Sequence, residues 1–187
     1  KEGEMKNAII FHGTDCSPDS TFYWYAWLKD ELEKNGYSVD VPHYPEINHE
    51  DIATFLPKVL ANHGFNDETV LVGHSAGAPL ILSILEQIDQ RVKQCVVVAG
   101  YSMLPPGETK DPVLQASYDW HKIKAHSDSF VCINSVDDPW GCDDEQGRIL
   151  FDHLGGTQII RNDGHFGSES QNQPYTKFPL LKNVILE

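Results

Sequence analysis

The stretch Thr69-Val70-Leu71-Val72-Gly73-His74-Ser75-Ala76-Gly77 decides the fold of this chain. Its first four residues predict a buried strand, and the apolar run at residues 80–85 predicts a helix directly afterwards. Between them stands the pattern G-x-S-x-G, which in this context marks a turn too sharp for a side chain at either glycine. Such a turn projects the serine hydroxyl above the sheet, so Ser75 is the candidate nucleophile, and His74 is expected to point away from it.

Six short runs rich in β-branched and apolar residues alternate along the chain with segments of helical period. They lie at residues 8–11, 38–41, 69–72, 95–99, 130–134 and 157–160. Several are almost continuously apolar, as parallel strands covered on both faces are. With crossovers long enough to hold a helix, this pattern predicts an α/β fold, a three-layer αβα sandwich with a doubly wound, mostly parallel six-stranded sheet. We expect residues 1–187 to form a single domain.

Residues 101–125 break this alternation. They contain three prolines, no strand-like run and only a short helical piece near residues 118–124. An insertion just beyond the C-terminal end of a strand lies over the edge of the sheet where ligands bind in α/β folds. We therefore expect a short cap over the candidate active site.

The charge of the chain excludes two classes of partner. Its formal net charge is −14, and no two Lys or Arg residues are adjacent. Nucleic acids and anionic membranes both require a basic surface, so we expect the chain to bind neither. No apolar stretch approaches the roughly 20 residues that span a bilayer.

The cysteines and the start of the chain bear on localisation. The four cysteines contain no C-x-x-C pair; they are Cys16, Cys95, Cys132 and Cys142. Residues 1–6 contain no apolar segment of the kind found in secretory signals. We expect a reduced, cytoplasmic protein.

A serine hydroxyl needs a base to become a nucleophile, and that base needs an orienting carboxylate. After a G-x-S-x-G turn, these partners follow in the order acid, then histidine. The loop after the fifth predicted strand supplies Asp137 and Asp138, and the loop after the sixth supplies His165. Because Pro139 holds the residue before it in an extended or turn conformation, we favour Asp138 over Asp137.

Two backbone amides are candidates for stabilising an oxyanion. The amide of Ala76, next to the nucleophile, is the first. The second is expected from the loop after the first strand, where we favour Thr14, with Gly13 as the alternative. His12 in the same loop is a rival base by residue type, but we expect it to pack or bond locally.

Three tryptophans are candidates for walls of a substrate pocket. Trp24 belongs to the aromatic cluster at residues 22–27, whose helical spacing predicts core packing for most members. Trp120 lies in the cap segment, and Trp140 lies beside Asp138. An apolar aromatic pocket would fit a small acyl or aryl group.

No residue pattern in the chain predicts a metal or another cofactor. Asp143, Asp144 and Glu145 form an acidic cluster, but acidic residues are favoured at the start of a helix in any case. The histidines outside the candidate site show no H-x-x-x-H or other ligand spacing. We expect no cofactor.

The chain resembles the small serine hydrolases related to retinoblastoma-binding protein nine and the bacterial YdeN proteins, within the α/β-hydrolase superfamily. The likeness runs over nearly the whole chain. Its motifs are Trp24-Tyr25-x-Trp27, Leu56-Pro57, Gly73-His74-Ser75, Trp120-x-Lys122-Ile123-Lys124-Ala125, Asp137-Asp138-Pro139 and Gly164-His165-Phe166. The resemblance implies a compact hydrolase core without the first two strands of larger relatives, and a triad of Ser75, Asp138 and His165.

The chain departs from this family at two places. Its oxyanion loop, residues 12–18, is not glycine-rich like that of the animal relative, and its cap contains Leu104-Pro105-Pro106-Gly107. Both would line the substrate site, so the resemblance does not predict a substrate. The chain contains no Leu-x-Cys-x-Glu segment, and retinoblastoma binding is not expected.

The sequence predicts a carboxylesterase-like serine hydrolase that acts on small carboxylic esters, with thioesters and amides left open. Its partner would be a small acyl substrate, and no protein partner is indicated. Two alternatives stay open. One is a catalytically weak interaction module that keeps the fold, and the other is an acyltransferase with the same triad.

Overall fold

The computed structural model of the chain describes residues 5–187, and the elements below belong to that range. The strands are β1 (Asn7–Phe11), β2 (Ser38–Asp40), β3 (Thr69–His74), β4 (Gln94–Val98), β5 (Phe130–Ser135) and β6 (Thr157–Arg161). The helices are α1 (Tyr25–Glu33), α2 (Ile52–Asn62), α3 (Gly77–Gln87), α4 (Trp120–Ala125), α5 (Asp144–Leu154) and α6 (Pro179–Leu186). The six predicted strands are confirmed.

The strands form one sheet in the order β2-β1-β3-β4-β5-β6, and every pairing between neighbouring strands is parallel. The predicted doubly wound sheet is therefore confirmed. The strand order reverses between β1 and β3, and such a switch point opens a crevice at the carboxyl ends of the strands. Phe11 pairs with Gly73 there, so the oxyanion loop and the G-x-S-x-G turn leave the sheet side by side.

The central strands explain the continuous apolar runs of the sequence. All six residues of β3 are buried, as are all six of β5, whereas the edge strand β6 is largely exposed. Leu71 and Val72 have no exposed surface, and full burial of such a side chain contributes about 1.5–3 kcal/mol. This core holds rigid the strand ends that carry the candidate site.

Helix α3 lies unusually close to β1 at Gly77. A Cβ atom at this position would overlap the backbone carbonyl of Phe11. At Gly73 a Cβ atom would lie 2.7 Å from the carbonyl oxygen of Gly77. Both glycines of the motif are therefore required by the close approach of one backbone to another.

Residues 101–125 form the expected irregular segment, which ends in α4. Its first part lines a cavity above the sheet through Tyr101, Pro105, Glu108 and Asp111. Its last part packs on α3 and α5, where Ile123 is fully buried. Only the first part of the predicted cap thus borders the candidate site.

Within residues 5–187, no helix combines the length and the apolar composition needed to cross a membrane. Residues 1–4, part of the stretch in which the sequence predicts no secretory signal, lie outside the described residues. The single-domain prediction includes those residues and stays a prediction.

The Gly77→Ala substitution should destabilise the protein, because its methyl group has to displace the backbone of β1. We expect a loss of about 1–3 kcal/mol in the free energy of unfolding, as for other overpacked cores. Gly64→Ala is the control, since a Cβ atom there meets nothing within 4 Å, and its effect should stay below about 1 kcal/mol. Urea unfolding followed by circular dichroism measures both values, and equal midpoints would contradict the packing argument.

Candidate active site

The predicted strand–turn–helix around Ser75 is present. Ser75 has a φ of 55°, in the left-handed region that non-glycine residues seldom occupy. Its amide donates a hydrogen bond to the carbonyl of Val98 (2.8 Å), and its carbonyl accepts one from the amide of Ala78 (2.9 Å). These bonds to β4 and α3 hold the strained turn that lifts the hydroxyl above the sheet.

Ser75, His165 and Asp138 form a continuous hydrogen-bonded row. The distance from Ser75 Oγ to His165 Nε2 is 3.0 Å, and that from His165 Nδ1 to Asp138 Oδ2 is 2.8 Å. The carboxylate can only accept, so Nδ1 carries the proton and Nε2 presents its lone pair to the serine hydroxyl. The Asp138 side chain has no exposed surface, and that of His165 is 8% exposed. The row is therefore shielded from water except on the side of the cavity.

Of the two candidate aspartates, Asp138 is the one that bonds to His165. Its second oxygen, Oδ1, accepts a hydrogen bond from the amide of Trp140 (2.8 Å). Asp137 instead accepts a hydrogen bond from the amide of Gly164 (3.0 Å). Asp137 thus connects the loop after β5 to the loop after β6 that carries His165 (the histidine loop), one residue before His165.

The backbone of His165 is fixed from two sides. Its amide donates to Gln173 Oε1 (3.0 Å), and Gln173 Nε2 in turn donates to the carbonyl of Asp163 (2.6 Å). The carbonyl of His165 bonds to Nε2 of His74 (2.8 Å). This histidine loop therefore depends on the G-x-S-x-G turn as well as on its own residues.

His74 is the site residue whose role the sequence did not predict. It points away from the cavity, as expected, and is buried with Nδ1 2.6 Å from the hydroxyl of Tyr25. Burial and, to a lesser degree, the neighbouring His165 ring lower the pKa of His74 to about 3, so the ring is neutral. Because the carbonyl of His165 can only accept, Nε2 carries the proton and Nδ1 accepts from Tyr25.

The same network reaches the oxyanion loop. The hydroxyl of Tyr25 accepts a long hydrogen bond from the amide of Gly13 (3.4 Å). A bonded chain therefore runs from Gly13 through Tyr25 and His74 to the carbonyl of His165. Buried polar groups need hydrogen-bond partners. Because His74 was expected to point away from Ser75, its need for buried partners could have predicted this network.

The oxyanion candidates lie beside Ser75, the candidate nucleophile. A Cβ atom on Gly13 would lie 3.2 Å from Ser75 Cβ, which shows how closely the loop approaches. The amide of Gly13 is directed to Tyr25, which leaves Thr14 and Ala76 as the favoured donors. His12 bonds locally: its Nδ1 lies 2.7 Å from the carbonyl of Gly13, and its Nε2 accepts from the amide of Tyr44 (2.9 Å).

A cavity of about 660 Å³ opens over Ser75. Besides Ser75 and His165, its wall includes residues from the oxyanion loop, the cap and the loops after β5 and β6. Examples are Thr14, Cys16, Tyr23, Tyr101, Trp140, Cys142 and Ser168. Four carboxylate residues also line it, and within residues 5–187 no Lys or Arg does; they are Asp15, Glu108, Asp111 and Glu169.

The structure corrects two of the three tryptophan predictions. Trp24 has no exposed surface, because its ring packs on Phe178 and its Nε1 donates to the carbonyl of Phe166 (3.0 Å). Trp120 lies away from the cavity, where its ring stacks on His153 of α5 with centroids 4.2 Å apart. The Trp24 prediction was wrong because its ring, just before α1, packs into the core. The Trp120 prediction was wrong because its ring, at the start of α4, packs on α5.

Trp140 does line the cavity, and its Nε1 donates to Ser168 Oγ (3.2 Å). The aromatic residues that sequence reasoning did not assign to the cavity are Tyr23 and Tyr101. The acidic cluster at Asp143 begins α5 as predicted, since the Asp143 carboxylate accepts bonds from the second and third residues that follow it.

Comparison with known proteins identifies the family. A family model described as serine hydrolase matches residues 8–183. The chain belongs to this serine hydrolase family. It is 28% identical over 187 residues to YdeN of Bacillus subtilis (strain 168), covering 96% of this chain and 94% of YdeN. It is 24% identical over 136 residues to the serine hydrolase RBBP9 of Rattus norvegicus, covering 71% of this chain and 72% of RBBP9.

Solved structures agree with this assignment. The crystal structure of the ydeN gene product of B. subtilis matches with a TM-score of 0.85 at 26% identity, covering 97% of each chain. Mouse α/β hydrolase domain-containing protein 10 matches with a TM-score of 0.68 at 11% identity, covering 99% of this chain and 90% of that one. At that identity the second match shows the fold alone. The predicted α/β-hydrolase fold and the predicted family are both confirmed.

The buried, neutral His74 should make stability depend on pH in a defined window. Its pKa falls from 6.5 to about 3 on folding, so between these values the unfolded chain binds the proton and the folded one does not. Stability is therefore lost as the pH falls from about 6.5 toward 3, by up to about 1.4 kcal/mol per pH unit.

Urea unfolding at pH 7, 6 and 5 tests this dependence in the wild type and in His74→Gln, which offers a similar donor and acceptor without titrating. The variant should lose less stability on acidification than the wild type. His121→Gln is the control, since His121 is exposed, and it should keep the wild-type slope. Equal slopes for all three proteins would refute the assignment of a neutral, buried His74.

Proposed function

We propose that this serine hydrolase cleaves small carboxylic esters through Ser75, His165 and Asp138, with an acyl-enzyme intermediate. The observation that carries the proposal is the row of two hydrogen bonds, 3.0 Å from Ser75 to His165 and 2.8 Å from His165 to Asp138. These are the contacts by which a base activates a serine and a carboxylate orients the base. The family assignment supports the same chemistry.

In the proposed first step, Ser75 Oγ attacks the ester carbonyl carbon while His165 Nε2 takes the hydroxyl proton. The negative charge then develops on the former carbonyl oxygen, where the amides of Ala76 and Thr14 donate to it. Asp138 keeps the proton of the imidazolium on Nδ1 and stabilises its positive charge. The bond to the leaving alcohol breaks as Nε2 returns the proton to it, and the acyl group stays on Ser75.

In the second step, a water molecule enters from the cavity and gives its proton to His165 as its oxygen attacks the acyl carbon. The bond from Ser75 Oγ to the acyl group breaks, and the hydroxyl takes back the proton. Every step uses groups of the chain and water. The family to which the chain belongs consists of serine hydrolases, which is why we propose water and not a second alcohol as the acceptor.

Ser75→Ala should abolish the esterase reaction. Hydrolysis of p-nitrophenyl acetate should fall at least about 10³-fold in kcat, because the acyl group has no covalent acceptor. A fluorophosphonate probe should label the wild type and not the variant. If neither protein hydrolyses the ester but the probe labels Ser75, amides and thioesters are the next substrates; absence of labelling favours the catalytically weak interaction module.

Substitutions at the neighbouring residues Asp138 and Asp137 give a test variant and its matched control. Asp138→Asn should lower kcat by up to about 10⁴-fold, because an amide cannot hold the imidazole in the required tautomer or stabilise its charge. Asp137→Asn keeps an oxygen that can accept from Gly164 and should retain most of the activity. Similar losses in both variants would argue against Asp138 as the orienting carboxylate.

The charge of the cavity should set a preference among esters. Its four carboxylate residues, without Lys or Arg in the wall, repel anionic substrates. We expect kcat/KM for the p-nitrophenyl monoester of glutaric acid to lie at least about tenfold below that for p-nitrophenyl valerate, a neutral ester of equal acyl length. The difference should shrink as salt is added, since salt screens exposed charges. Equal rates at low salt would rule out this preference.

A further inference from the structure

Cys142 lies beside two residues of the proposed triad. Among residues 5–187, Asp138, Cys142 and His165 form a group whose potential ligand atoms all lie within 4.8 Å of one another. A carboxylate oxygen, a thiolate sulfur and an imidazole nitrogen together form a ligand set that suits Zn²⁺ and related thiophilic divalent cations. The hydrolysis proposed above uses Asp138 and His165 but gives Cys142 no role.

The turn after β5 holds Asp138 and Cys142 in place. The Asp138 side chain accepts from the amide of Trp140 (2.8 Å), and its carbonyl accepts from the amide of Gly141 (3.2 Å). Asn134 Nδ2 donates to the carbonyl of Cys142 (3.1 Å). The backbone of one turn therefore holds Asp138 and Cys142 near each other. Both oxygens of Asp138 already accept a hydrogen bond, so an ion binds through a remaining lone pair of the carboxylate.

The surroundings of this group are strongly negative. Burial raises the pKa of the Cys142 thiol well above its ordinary value, and the carboxylates of Asp138 and Asp111 raise it further. The carboxylates of Asp111 and Glu108 also line the cavity and attract a divalent cation, which has to displace the proton of the Cys142 thiol as it binds. No Lys or Arg among residues 5–187 lines the cavity to oppose it.

The site can be reached from the cavity over Ser75. Both Cys142 and His165 contribute to its wall, although Cys142 is only 3% exposed. A single ion requires far less space than an acyl substrate, so the cavity can admit it to Cys142 and His165. Asp138, whose side chain has no exposed surface, is not part of the cavity wall.

We propose that Asp138, Cys142 and His165 bind Zn²⁺ or a similar thiophilic divalent cation, and that the bound ion reversibly inhibits the hydrolase. The binding part stands by itself, whereas the inhibitory part rests on the function proposed above.

The chemistry of binding explains the inhibition. A metal–sulfur bond forms as the Cys142 thiol loses its proton to water, and His165 supplies the lone pair of one ring nitrogen. If Nε2 binds the ion, it has no lone pair left for the Ser75 proton. If Nδ1 binds the ion, the ring proton resides on Nε2, with the same result. No residue changes its oxidation state.

A titration with Cd²⁺ tests binding without reference to activity. In the Ser75→Ala background, we expect the ultraviolet charge-transfer band of a thiolate–Cd²⁺ complex. Cys142→Ala should abolish the band, whereas Cys132→Ala, a change in the interior of β5, should keep it. Cys16→Ala should also keep it, although Cys16 lines the same cavity. His165→Ala should weaken binding at least about tenfold, since loss of an outer-shell partner alone costs about 10–100-fold in affinity.

A second measurement follows the inhibition itself. Each variant with Ser75 and His165 intact is compared with its own metal-free rate of p-nitrophenyl acetate hydrolysis as Zn²⁺ is added, and EDTA should restore that rate. The Zn²⁺ concentration for half-inhibition should rise at least about tenfold in Cys142→Ala and in Cys142→Ser. Cys132→Ala should behave like the wild type.

The outcomes separate the two proposals. Undiminished Zn²⁺ inhibition in folded Cys142 variants, or loss of the Cd²⁺ band in Cys16→Ala alone, overturns the metal site. A Cd²⁺ band that depends on Cys142 and His165, in a chain that hydrolyses none of the esters, supports the metal site and refutes only the proposed function. Circular dichroism of each variant shows that it is folded.

Discussion

The close approach of α3 to β1 is the constraint on which the rest of the structure depends. Because Gly77 lets the helix backbone rest against the carbonyl of Phe11, β3 passes into α3 through a turn with room for one strained residue. Ser75 occupies that position with its φ of 55°, held by bonds to Val98 and Ala78. The strained backbone of Ser75 raises its hydroxyl above the sheet. The free energy gained by burying the apolar central strands offsets the cost of this strain.

His74 extends the influence of this turn to two other loops. One buried, neutral ring links the hydroxyl of Tyr25, and through it Gly13, to the carbonyl of His165. The G-x-S-x-G turn, the oxyanion loop and the histidine loop therefore share one hydrogen-bonded network. Such an arrangement keeps groups from distant parts of the chain within the tolerances that proton transfer demands.

The floor and the wall of the cavity differ in composition. Its floor is Ser75 and His165, whereas its wall is aromatic and acidic and comes from the segment after β1, the cap and the loops after β5 and β6. The cap and the oxyanion loop are also where the sequence departs from the relatives it resembles. The loops after β5 and β6 thus contribute both to the hydrogen-bonded row and to the wall, and Cys142 of the wall lies close to Asp138 and His165.

The sequence by itself determined the sheet, the family, and Ser75 and His165 as candidate site residues, because the strand–turn–helix pattern and the order of the loops can be read along the chain. It favoured Asp138 over Asp137, and the folded loops show that Asp138 bonds to His165 while Asp137 accepts a hydrogen bond from Gly164. It misplaced Trp24 and Trp120, since the position of each ring depends on a partner far away in the chain, Phe178 for Trp24 and His153 for Trp120. It could not place His74 in a network, because His74 contacts Tyr25 and His165, which lie far away in the chain, and only tertiary packing fixes such distances.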